Sequence, residues 1–535
     1  MPRASVPIVA VIAALAEIPM TASAQVPSSS GARAPSVACT APARAAFEQG
    51  LVLLHHMTYP EARAAFRRAA RIDPRCAIAH WGVAMSLFQP LWPTRPGPEE
   101  LRRGREAVAD ALAQDPGPRE RSLIAAAEAF YREPAADYWE RIRRWERAMA
   151  EAHAAHPDDD EIAAFRALAL LAVAPSDSSS SRNADRAAAL LLALLDRNPH
   201  HPGAQHYLVH ANDAPGREGR SPEVVRRYAA EAPENPHALH MPTHIYVRQG
   251  DWLAVIAGNR RAAEAALAHP AGEQRELVWD EFPHAIEYLV YALLQLGADS
   301  AARAELHRLR ATPRLEPTFK TAFHLASTAA RDALERKSWL EAAALPVRAP
   351  ATLAWDRFPW PEAITWFARG LGAARASSLP PAREAAARLA ALERAATAAG
   401  EALFARNIRV LQLELDAWIL QGERHADSAV ALMTAAAELE LATPKHAVTP
   451  APTLPAHELL GDLLLTQERP AEALAAYRRS LDLYPRRFNS LLGSARAART
   501  VGDTGMARAS YEALLVVAGD SRRAAIGEAR AFLAD

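Results

Sequence analysis

In the stretch AFEQGLVLLHHMTYPEARAAFRRAARIDP, residues 46–74, large and small residues recur at the intervals of a helical hairpin. Phe47, Gly50, Ala62, Phe66, Ala69 and Pro74 stand as large, small, small, aromatic, small and proline. Small residues let two antiparallel helices approach closely, an aromatic ring fills the gap, and proline ends the second helix. The pattern returns near the C-terminus in GDLLLTQERPAEALAAYRRSLDLYP, with Gly461, Ala473, Tyr477 and Pro485, and again one repeat later with Ala495, Ala507 and Tyr511.

This is the spacing of a tetratricopeptide repeat. Less regular units continue the array between the two ends. They include DDDEIAAFRALALLAVAP and NADRAAALLLALLDRNP, separated by a serine-rich insertion from Ser176 to Ser181, and units starting at Pro202, Pro236 and Pro283. No period-two alternation or Asn-Gly hairpin interrupts them, so strands are expected to be scarce. The expected fold is all-α, a solenoid of tetratricopeptide-type helix-turn-helix repeats over residues 43–441. A proline-rich extended segment (442–456) and further C-terminal repeats (457–535) follow it.

The 61 basic and 62 acidic residues nearly cancel, which gives no reason to expect nucleic acid or an anionic membrane as a partner. Only Lys320, Lys337 and Lys445 are lysines, and the excess of arginine with alanine reads as compositional bias. The N-terminus has Arg3, an apolar run from Val6 to Met20, and Ala22-Ser23-Ala24. That is the pattern of a secretory signal peptide (1–24) cleaved after Ala24, followed by a polar linker (25–42). No later apolar run suits a membrane span. The mature protein is therefore expected in the periplasm or outside the cell. The two cysteines, Cys39 before the first helix and Cys76 after the second, lie at the same end of one hairpin and are expected to form a disulfide.

The segments FEQGLVLLHHMTYPEARAAF, DPRCAIAHWGVAMS, HPGAQHYLVHANDAPG and HALHMPTHIYVRQGDW resemble a family of large bacterial secreted tetratricopeptide-repeat proteins. The resemblance covers most of the mature chain. It implies the fold and export, and it implies no chemistry.

Nine of the 19 histidines fall between His200 and His284, where an even spread would put about three. Taking Pro202, Pro236 and Pro283 as starts of three successive first helices, His206, His240 and Glu287 share one phase. His210, His244 and Tyr291 share a second, and Gly203, His237 and His284 a third. Residues four apart stack on one helix face. By analogy with tetratricopeptide folds these phases line a concave groove, giving a candidate metal site of His206, His210, His237, His240, His244, His284 and Glu287. A helical His-x-x-x-His pair chelates one ion, and a neighbouring helix supplies further ligands. Neutral imidazole suits zinc, copper, nickel or iron.

Three uses of this patch compete: a transition-metal site, a polar groove for a peptide or protein partner, and a structural hydrogen-bond network. Asp213, Asp280 and Glu281 flank it as candidate acceptors that orient the imidazoles or as a general base, the latter two expected rather as helix-end carboxylates in solvent. His200, His201 and His269 are expected as bystanders in turns, and His55 and His56 are set aside as too distant. The tryptophans, Trp81, Trp92, Trp139 and Trp252 among them, are read as core. No serine-nucleophile elbow, phosphate loop, dinucleotide fingerprint or His-Glu-x-x-His is present. The leading expectation is an exported repeat protein that binds a partner in its groove and a metal in its middle repeats. The alternatives are a metal-dependent hydrolase or oxidoreductase, its pocket closed by the segment around Lys445 and His446, and a metal storage or delivery protein.

Overall fold

Proline in the first turn starts many of the helices, as at Pro42, Pro60, Pro202 and Pro236, because the missing N–H would be unpaired there in any case. Asp137, Asp159, Asn235 and Asp251 cap others by accepting a backbone N–H. The computed structural model describes residues 37–92, 95–174, 180–271 and 276–535; the expected leader, most of the expected linker and most of the serine-rich insertion lie outside them. Twenty-six α-helices follow one another among the described residues, packed as successive antiparallel pairs. Among the described residues the only β pairings are two isolated bridges, Ala271 with Leu277 and Val278 with Leu315. No helix among the described residues is long and apolar enough to cross a membrane. The chain is an all-α solenoid.

The repeat spacing has a direct packing cause. Phe66, on the Tyr59–Ile72 helix, lies between Gly50 and Gly82 on the helices before and after it. A methyl group on Gly50 would stand 2.8 Å from the Phe66 ring, and one on Gly82 would stand 2.4 Å from it. Tyr477 sits in the same way between Gly461 and Gly493, where the distances would be 2.7 and 2.3 Å. One aromatic ring thus joins two neighbouring hairpins, and only glycine leaves room for it. The Cys39–Cys76 disulfide is present, with Cα atoms 4.8 Å apart.

The array returns on itself. Arg487, buried near the C-terminal end, donates to Glu458, Glu335 and the hydroxyl of Tyr291. Trp252 Nε1 donates to the Arg486 carbonyl at 3.0 Å, and Arg95 pairs with Glu401. The segment 442–455 is non-helical and runs along the interior. There the buried Arg331 guanidinium donates to the Ala451 and Pro452 carbonyls and to Thr449. The middle repeats are therefore enclosed, not displayed on an open groove.

Of the three first helices expected at regular spacing, the second is broken. Pro242 divides it into Pro236–His240 and Pro242–Gln249, since proline carries no N–H for the helical ladder. The third begins at Glu281, two residues before Pro283.

Two outcomes test this packing. Alanine for glycine inside a helix ordinarily stabilises by about 1 kcal/mol. Gly82→Ala and Gly493→Ala are expected to destabilise by about 1–3 kcal/mol through overpacking on Phe66 and Tyr477, measured by chemical denaturation; unchanged or raised stability would refute the interlock. Under denaturing conditions the protein isolated without reductant should show no titratable thiol, and two thiols would reject the Cys39–Cys76 bridge.

Candidate metal centre

His206 and His210 lie on the Pro202–Asn212 helix, His237 and His240 on the short helix after Asn235, His244 beyond the break, and His284 on the Glu281–Gln295 helix. They form two triads. The ligating atoms of His206, His210 and His237 lie within 4.8 Å of one another, and so do those of His240, His244 and His284. The triads adjoin: the His210 and His244 rings are 6.1 Å apart and those of His237 and His240 are 6.3 Å apart. All six are buried except the partly exposed His210.

The other side of each ring determines which nitrogen carries the proton. His206 Nδ1 is 2.6 Å from the His55 carbonyl, which only accepts, so Nδ1 donates. His237 Nδ1 donates to Glu281 at 3.2 Å and His244 Nδ1 to Asp213 at 2.8 Å. His240 Nδ1 donates to Asn259 Oδ1 at 2.7 Å, and the Asn259 amide is oriented by its own bond to the Val255 carbonyl at 2.8 Å. His324 Nδ1 donates to Glu287, leaving His324 Nε2 to accept from His284 Nδ1 at 2.9 Å. In the neutral rings the remaining Nε2 atoms are then lone-pair donors. They face one another, with His240 and His244 Nε2 2.9 Å apart and His206 and His237 Nε2 3.1 Å apart. Neither pair has a hydrogen to share.

Burial favours the neutral form. It lowers the pKa of His206, His210, His240 and His284, and neighbouring imidazoles lower them further. His244 is lowered to about 4 by burial, against the opposing pull of Asp213. Burial opposes ionisation of Asp213, but Lys445, Arg248 and His244 hold it well below the usual carboxylate range. Convergent imidazoles, five of the six anchored through the second nitrogen, match the donor set that transition-metal sites use.

Several expectations are corrected. Glu287 is in neither triad. Its oxygens accept from His324, Ser327 and Arg331, so it orients His284 from one residue further back. Asp280 and Glu281 are not in solvent; each is 1% exposed, and Glu281 pairs with Lys320, which lies 4.1 Å above the Trp92 ring. His55 and His56 are not distant: the His55 carbonyl holds His206, and a methyl group on Gly203 would stand 2.3 Å from His55 Nδ1. His201 is buried and caps its helix through Nδ1, whereas His200 is exposed and pairs with Glu231.

His55, Glu161 and His201 form a third close group, but its protons are placed differently. His201 Nδ1 accepts the Ala204 N–H at 3.1 Å, so its proton is on Nε2, 3.4 Å from Glu161. His55 Nδ1 takes the Tyr207 hydroxyl at 3.0 Å and Nε2 donates to Glu161 at 2.8 Å. His55 is hydrogen-bonded on both nitrogens, whereas His201 Nε2 only approaches Glu161, and no imidazole lone pairs converge here.

His324 and Asn259 are the functional residues that the sequence reading missed. His324 had a signal: it lies as far before Lys337, a left-handed residue, as His284 lies before Gly297 and His237 before Gly250. Asn259 had none, being an asparagine inside the Trp252–Ala268 helix.

A cavity of about 500 Å³ adjoins the first triad, lined in part by His210, Asp213, Lys445 and Trp139. The second triad has no such opening; its three histidines are all buried. The proline-rich segment lines the cavity, with Lys445 Nζ 2.8 Å from Asp213.

No family model matches this chain, and no curated protein matches it. Among solved structures it is similar to the APC/C hetero-tetramer Cut9–Hcn1, with 13% identity over 92% of this chain and 89% of that one and a TM-score of 0.32. It is also similar to the human IFIT1 dimer with PPP-AAAA, with 12% identity over 87% of this chain and 94% of that one and a TM-score of 0.39. Likeness at this level carries no argument about activity or partner.

The depressed histidines give a signed pH dependence. Burial holds His56 and His446 at about 3 in the folded chain, against about 6.5 when unfolded. Between those values the unfolded chain binds protons that the folded chain does not. Stability of chelator-treated protein is therefore present above about pH 6.5 and lost as pH falls toward 3, by about 1.4 kcal/mol per pH unit for each such histidine. Denaturation curves from pH 7 to 4 should show this fall; a flat profile would contradict the buried neutral rings.

Proposed function

We propose that this chain is an exported helical-repeat protein that carries transition-metal ions in its two histidine triads. The observation that carries the reading is the 2.9 Å approach of His240 and His244 Nε2 while both Nδ1 protons are committed to oxygen. Two facing lone pairs repel. A proton between them would make a buried imidazolium, which the surroundings oppose, whereas a metal ion accepts both. Three neutral imidazoles with no thiolate suit zinc, copper, nickel or iron and leave a further coordination position. Holding or delivering an ion fits the second triad, sealed from the cavity, better than turnover does. The leader-like N-terminus and the Cys39–Cys76 pair support an oxidising compartment outside the cytoplasm. A protein or peptide partner belongs to the same proposal, since repeat arrays serve mainly as recognition scaffolds. Burial of the histidines removes them from that contact, so the partner meets other parts of the array.

Metal analysis of protein purified without chelators tests the proposal. Occupancy should approach about one ion per triad, and replacing His206 and His240 together with alanine, one ligand from each triad, should abolish it. His156→Ala, at the end of an earlier helix, should leave the load unchanged. Retention of the full load by the double variant, or no uptake of zinc, copper, nickel or iron by the native chain, would defeat the reading.

A further inference from the structure

Away from the triads, the wall of the cavity carries an unrelated feature. One face of the Ala402–Gly422 helix lines it, including Asn407, Leu411 and Glu414. Glu414 is 0% exposed, and neither of its carboxyl oxygens has a hydrogen-bond partner. Glu440, on the neighbouring Ala426–Leu441 helix, lines the same cavity and accepts from the Ala456 N–H at 3.2 Å and the Tyr484 hydroxyl at 3.3 Å. Burial pushes Glu414 upward with Glu440 adding to the effect, and it pushes Glu440 up to about 8.

The cations that line the cavity are already committed. Arg95 pairs with Glu401, Arg217 with Asp185, and Arg248 and Lys445 both pair with Asp213. The wall is left with uncompensated acid beside the aromatic residues Phe323, Trp360 and Tyr484. Buried polar groups in folded proteins almost always have partners, and one without a partner marks a place for something absent. A carboxyl pair attracts a cation that can donate to both, and aromatic faces attract the same charge while accepting an apolar body.

We infer that this cavity binds a small organic cation, an amine with an apolar body, whose ammonium group is taken by Glu414 and Glu440. The inference stands apart from the metal reading, because neither glutamate belongs to a triad.

Calorimetric titration of the full chain with 2-phenylethylammonium, and with its neutral counterpart 2-phenylethanol, tests it. The amine should bind tighter than the alcohol by roughly tenfold or more. Glu414→Gln should remove that preference. Glu440→Gln, which keeps one acceptor oxygen for the Ala456 N–H or the Tyr484 hydroxyl, should weaken it and serves where the first variant fails to fold. Chelator-treated protein should bind the amine with the same affinity. Equal binding of amine and alcohol by the native chain would overturn the inference, as would a preference that survives in Glu414→Gln. Loss of amine binding on chelation would place the amine on a metal ion and also overturn it, and displacement of the amine by calcium chloride would mark an inorganic cation site.

Discussion

Two imidazole nitrogens that both present lone pairs at 2.9 Å repel each other, and His240 and His244 are held in that relation by groups on several helices. Asn259 fixes the first ring and Asp213 the second. Asp213 is kept ionised by Arg248 and Lys445, so the proline-rich segment is tied to the same constraint. Glu287 reaches His284 through His324 and is itself held by Arg331, whose other hydrogens hold the Thr449 hydroxyl and the Ala451 and Pro452 carbonyls. His206 is oriented by a carbonyl of the first hairpin. Elements far apart in sequence thus meet around the triads. A half-satisfied buried polar network is costly, and under the proposed function a metal ion would complete it and link all these elements.

The helical repeat makes this convergence accessible to a linear chain. An aromatic ring fitted between two glycines sets neighbouring hairpins at a fixed offset, as Phe66 does between Gly50 and Gly82. Residues in equivalent phases of successive helices then face a common interior. His206 and His240 share one phase, and His237, His284 and His324 share another. The break at Pro242 does not disrupt the pattern, because His240 and His244 still meet across it.

The fold was legible because its cause is local. Glycine, alanine and aromatic residues at fixed spacing report helix-to-helix contact directly, and proline reports helix starts. The histidine grouping was legible for the same reason, since phase along a helix predicts which residues share a face. The roles within the group were not legible. Glu287 has the phase of His206 and His240, yet its neighbours Ser327 and Arg331 come from the Phe319–Glu335 helix and draw its oxygens away. Asp280, Glu281, His55 and His201 were misjudged because their burial arises where the array folds back and encloses its middle repeats. That closure rests on contacts such as Arg487 with Glu335 and Tyr291, which no repeat pattern encodes.

Anomalous diffraction from crystals of the metal-loaded protein, recorded on both sides of the metal's absorption edge, tests the central claim most directly. The account predicts one peak among the Nε2 atoms of His206, His210 and His237 and a second among those of His240, His244 and His284, with none at the His55–Glu161–His201 group. A peak at that third group with both triads empty, or no peak at all in protein exposed to zinc, copper, nickel and iron, would contradict it.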